Sequence, residues 1–97
     1  MLIYEVNLTV NRGIGDEFKA WFQSHLKDML NTQCFQSAKS FECEGSEEYL
    51  ELVCHYEVAS QQKLNEYFDN HAAAMRADGL KRFGDKFSAS RRILKKL

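Results

Sequence analysis

Apolar residues in this chain recur first at every second position, then at helical spacing, then in two further alternating runs. Helical spacing returns after that, and a short alternating segment closes the series. The order is strand, helix, strand, strand, helix, strand, and few architectures accommodate it. Two helices cover one face of a single sheet, and the other face stays open. A chain of 97 residues has no room for a second core, so residues 1–97 read as one domain.

Residues 2–10 place Leu2, Tyr4, Val6, Leu8 and Val10 on one face and Ile3, Glu5, Asn7 and Thr9 on the other. A turn at residues 11–15 follows, and Asp16 is positioned to cap the next helix, with Glu17 in its first turn. Phe18, Trp21, Phe22, His25, Leu26, Met29 and Leu30 form the apolar stripe of that helix, which should end near Asn31. Residues 34–44 read as the second strand, Gly45-Ser46 as a hairpin turn and residues 47–58 as the third strand. Ser60 caps a second helix whose inner face runs through Leu64, Tyr67, Phe68, His71, Ala72 and Met75. Leu80 and Phe83 extend it after a bend near residues 70–74, and Gly84 suits its end. Residues 87–94 are the last strand. This is a ferredoxin-like α+β sandwich with spatial strand order 4-1-3-2, in which the even-numbered residues of the first strand and those of the third strand supply the core.

Composition excludes several function classes. A formal net charge of −1 gives no general attraction to nucleic acid or to an anionic membrane. The third strand has no basic-glycine-aromatic RNA-recognition signature, and the acidic stretch around it would repel phosphate. No apolar run nears the ~20 residues that span a bilayer, and the first residues lack the basic segment and apolar core of a signal peptide. Cys34, Cys43 and Cys54 are odd in number and widely spaced, which fits free thiols rather than a zinc site or a disulfide framework. A cytoplasmic protein without metal or cofactor is expected.

Several segments resemble a known family. They are Arg82-Phe83-Gly84-Asp85-Lys86-Phe87-Ser88-Ala89-Ser90-Arg91-Arg92-Ile93-Leu94, Trp21-x-x-x-His25 with Met29-Leu30, His71-Ala72 followed by Arg76, and Ile3-Tyr4-x-Val6. Together they resemble a small bacterial family of unknown function in the dimeric α/β-barrel superfamily. The resemblance implies a homodimer in which two open sheet faces pack into a barrel with the helices outside. Members of the superfamily include antibiotic-biosynthesis-type monooxygenases, haem-degrading enzymes, chlorite-dismutase-like proteins and proteins with no known activity, so membership does not assign chemistry. Family members often carry proline after the His-Ala pair. This chain has Ala73, which implies a more continuous helix.

The residues themselves also point to association. Ile3, Glu5, Asn7, Thr9, Tyr49, Glu51, Val53, His55 and Glu57 share the open face, a mixture too polar for a core and more apolar than water requires. Acidic residues cluster between positions 42 and 57 and basic ones after position 76, so the basic edge of one subunit could meet the acidic hairpin of its mate. Simple edge protection by charge is the alternative.

No catalytic signature stands out. Trp21, His25, His55 and Arg91 are the candidate ligand-binding residues. His25, one turn beyond Trp21, reads as a cleft histidine or as a hydrogen-bonded residue at a packing boundary. His55, near Glu51 and Glu57 at strand spacing, reads as a metal ligand across a dimer axis or as part of a polar ladder. Arg91 either lines a cavity or pairs with an acid of the partner. The leading expectation is a small dimeric α/β-barrel protein of unknown function, either non-catalytic or binding a small apolar ligand. The alternative is an antibiotic-biosynthesis-type or haem-linked monooxygenase using His25 and Trp21.

Overall fold

The computed structural model describes all residues from 1 to 97. Strand β1 (Leu2–Asn11) leads through a short 3₁₀ turn (Arg12–Ile14) into helix α1 (Gly15–Asn31). Strands β2 (Ser37–Glu42) and β3 (Tyr49–Val58) follow, then helices α2 (Gln61–Asn70) and α3 (Ala72–Phe83), a second 3₁₀ turn and strand β4 (Phe87–Lys95). The four strands form one antiparallel sheet in the order β2-β3-β1-β4, with β2 and β4 as unpaired edges. The sheet of this chain is open and does not close into a barrel.

Alternation dictates the layers. Tyr4, Val6, Leu8 and Val10 of β1 lie opposite Tyr56, Cys54, Leu52 and Leu50 of β3, and all eight are buried beneath the helices. From α1, Phe18, Phe22 and Met29 descend onto them at spacings of four and seven residues, the rhythm of one helical face. Leu64 and Tyr67 of α2 and Ala72 and Phe83 of α3 complete the core.

Four local expectations need correction. Asp16 does not cap α1: the preceding 3₁₀ turn, held by Asn11 Oδ1 accepting from the Gly13 amide at 2.8 Å, moves the helix start back to Gly15. Asp16 and Glu17 occupy the first turn instead, where they favour the helix dipole. The second strand starts at Ser37, not at residue 34. Cys34 and Phe35 are buried from the loop ahead of it, and the Phe35 ring lies 4.9 Å from that of Tyr67 and 5.2 Å from that of Tyr56. The β2–β3 connection spans residues 43–48 rather than two residues, and the Arg12 side chain donates to the Ser46 and Glu47 carbonyls to secure it. The second helical region is not continuous, even without proline. It breaks at His71, whose amide donates to the Tyr67 carbonyl at 2.8 Å and whose carbonyl accepts from Met75 at 3.0 Å. The buried set steps five positions from Tyr67 to Ala72, about 140° out of phase on a straight helix, and the break accommodates that step.

The capping of α2 follows the sequence: Ser60 Oγ accepts from the Lys63 amide at 3.2 Å. Gly84 ends α3 with φ of +58°, which an L side chain rarely adopts.

Candidate functional site

A cleft of about 270 Å³ lies between α1 and α3 above the β1–β4 half of the sheet. Its floor is Tyr4, Val6 and Leu8 with Ala89 and Phe87 of β4; α1 contributes Trp21, Phe22, His25 and Met29, and α3 contributes Met75, Arg76, Gly79 and Leu80. Twelve of the seventeen lining residues are hydrophobic, so the volume is apolar with a few charged groups at its rim.

The two helical walls are joined by one polar contact and one close approach. Trp21 Nε1 donates to Asp78 Oδ2 at 3.0 Å, tying α1 to α3. Gly79 faces the indole: a Cβ there would lie 3.1 Å from Trp21 and 3.3 Å from Phe87, so only glycine leaves both rings in place. Glycine inside a helix costs about 1 kcal/mol relative to alanine, and this approach is what it permits.

Trp21 and His25, one turn apart, stack with ring centroids 4.7 Å apart and planes inclined by 21°. Burial lowers the His25 pKa from its ordinary value, with Arg91 adding to the effect and Asp28 and Asp78 opposing it, so the imidazole is neutral at neutral pH. Arg76 Nη2 donates to the Tyr4 hydroxyl at 3.2 Å. The Tyr67 hydroxyl donates to Met29 Sδ at 3.4 Å, and burial pushes its pKa up to about 12.

Register resolves Arg91. It lies opposite Val6, a helix-face residue, and therefore projects on the cleft side, whereas Arg92 lies opposite Glu5 on the open face. Trp21, His25 and Arg91 thus line one cleft, and His55 does not join them. His55 sits across the sheet, and its carboxylate neighbour is neither Glu51 nor Glu57: Nε2 lies 2.7 Å from Glu5 Oε2, on the adjacent strand. Glu5 Oε1 accepts from Asn7 Nδ2 at 3.0 Å and from Arg92 Nε. Hydrogen bonding by Arg92, then by Asn7, holds the Glu5 carboxyl at a pKa of about 2 against the opposing effect of burial. No group of three or more His, Cys, Asp or Glu side chains is arranged to hold a metal ion.

Arg76, Gly79 and Glu5 were not among the sequence candidates. Gly79 carried a signal, because a glycine within a helical run asks for a packing reason. Glu5 carried none, since His55 and Arg92 reach it from β3 and β4 and only Asn7 shares its strand.

Comparison with known proteins agrees with the topology. A family profile described as "Domain of unknown function (DUF4286)" matches residues 1–97. No curated protein matches the chain in sequence. Among solved structures, a point mutant of SnoaB, a cofactor-independent oxygenase from Streptomyces nogalater, superposes with a TM-score of 0.68 at 9% identity, over 98% of this chain and 92% of that one. A dimeric ferredoxin-like protein from an uncultured marine organism gives 0.68 at 10% identity over 99% and 96%. The de novo designed protein Foldit4 gives 0.61 at 8% over 99% and 98%. At such identities the likeness is one of fold, and it is ferredoxin-like.

Proposed function

The chain belongs to the DUF4286 family of domains of unknown function, and we propose that it acts as a homodimeric binding protein for a small, largely apolar molecule held in the α1–α3 cleft. The observation that carries this reading is the cleft itself: about 270 Å³ of mainly apolar space, walled by Trp21 and His25 and rimmed by Arg91. Residues 1–97 form the single ferredoxin-like domain of each subunit. The two open sheet faces pack together into the barrel, with His55 at that interface rather than in the ligand cleft. Support for the dimer comes from the marine ferredoxin-like protein, described as dimeric, and from the apolar residues Ile3, Tyr49 and Val53 on the open face. Three free thiols suit a reducing compartment, and the cytoplasm is the location proposed. No helix is long and apolar enough to cross a membrane.

Trp21 is the only tryptophan and it lines the cleft, so its fluorescence reads occupancy directly. Titration with eight-carbon amphiphiles is expected to shift its emission saturably. Ala89→Phe, which fills the floor, should abolish the response while the circular dichroism spectrum is retained. Absence of any saturable response across the set refutes the binding reading.

A second reading has one specific observation behind it: a neutral imidazole stacked on an indole in an apolar cleft can serve as a base beside an aromatic substrate. A cofactor-independent monooxygenase would show oxygen uptake with quinol-like substrates, lost in His25→Ala. Silence in that assay removes it for the substrates tried.

A further inference from the structure

Resting on the cleft as the binding site, we propose that its ligand is an apolar carboxylate, its head group gripped by Arg76 and Arg91 and its tail laid along Trp21 and Phe87. The chain contains four ion pairs, and neither arginine takes part in any of them. Arg76 has one hydrogen bond, to the neutral Tyr4 hydroxyl, and Arg91 has no side-chain hydrogen bond. The two come from different elements, α3 and β4, yet they converge. Arg91 lies across from Val6, two residues along β1 from the Tyr4 that Arg76 touches, and both guanidinium charges act on the Tyr67 hydroxyl.

The rest of the lining does nothing to neutralise them. No carboxylate lines the cleft; Asp78 outside it accepts from the Trp21 indole, and the charges of Asp78 and Asp28 are felt at His25. An apolar floor under two unpaired guanidinium groups is complementary to an amphiphilic anion and hostile to an amine. Guanidinium forks match the planar two-oxygen geometry of a carboxylate better than a single-point acceptor. Size narrows the class further. A volume of about 270 Å³ lies just under the ~300–1,000 Å³ typical of sites for drug-sized molecules, which fits a small amphiphile.

The test compares octanoate, octanol and octylamine, matched in tail and different in head, by isothermal titration. Octanoate is expected to bind about tenfold or more tighter than octanol, in line with one charged hydrogen bond. Arg91→Gln and Arg76→Gln should each weaken octanoate about tenfold and leave octanol within about twofold. Lys39→Gln on the opposite edge, which removes the same charge, should leave both unchanged. Octanol or octylamine binding as tightly as octanoate, or arginine variants without effect on it, overturns the carboxylate assignment and leaves the cleft reading intact. No binding by any of the three overturns both.

Discussion

Glu5 is the residue whose surroundings matter most on the open face. Its side chain is 6% exposed, covered by Arg92, His55 and Asn7, and within the single chain only those side chains stand between it and solvent. Solvent screening therefore reduces what the ion network contributes to stability below what the pKa depression alone implies. Its folded pKa of about 2 lies below the ordinary carboxylate value, so its contribution is complete above the unfolded pKa and is lost as pH falls through about 2. Glu5→Gln should cost about 1 kcal/mol near neutral pH. Urea melts at stepped pH should show the gap between variant and wild type closing between about pH 5 and pH 2, and a gap that stays constant would contradict this account. His25 has the same sign: a histidine buried neutral contributes above its unfolded pKa and weakens the fold as acid charges it. The sequence placed both side chains on the correct faces. It could not pair Glu5 with His55, because β1–β3 register, rather than spacing within one strand, makes them neighbours.

At the scale of elements, Gly79 sets the distance between α1 and α3. Gly79→Ala gains about 1 kcal/mol of helix propensity but drives a methyl group to 3.1 Å from Trp21, and overpacking of this kind costs about 1–3 kcal/mol. The second effect should win. The variant is expected to be destabilised by about 1 kcal/mol in chemical denaturation and to show altered Trp21 emission. A stabilised protein with unchanged emission would mean that the walls yield freely. Elements built on strict alternation, β1 and β3, are legible from sequence because one buried face imposes a period of two. The beginning of β2 was not, since Cys34 and Phe35 bury themselves from a loop and mimic a strand. The break at His71 was partly legible: the apolar stripe placed a bend near residues 70–74, while the missing proline argued for continuity. The backbone followed the stripe, with φ of −129° at His71, and tertiary packing prevailed over the local preference of an alanine-rich segment.

For the molecule as a whole, the proposed dimer makes the open face its interior. Val53, half-buried at the middle of β3, belongs to that face and not to the core, so Val53→Glu should leave the fold intact and weaken dimerisation by roughly tenfold or more. Sedimentation velocity checks this, and a wild-type chain that remains monomeric at every concentration would remove the premise. Arg92, on the basic edge expected to meet the acidic hairpin of the mate, is already paired with Glu5 of its own chain, so charge matching between edges falls to the other basic and acidic side chains there. Leu2 stands opposite Lys95 and Val10 opposite Phe87, so the central strand completes its pairing only with a segment nearly the whole chain away. Such distant partners raise the contact order and make folding slow to commit: until residues 87–95 arrive, β1 is itself an edge, exposed to pairing with another chain.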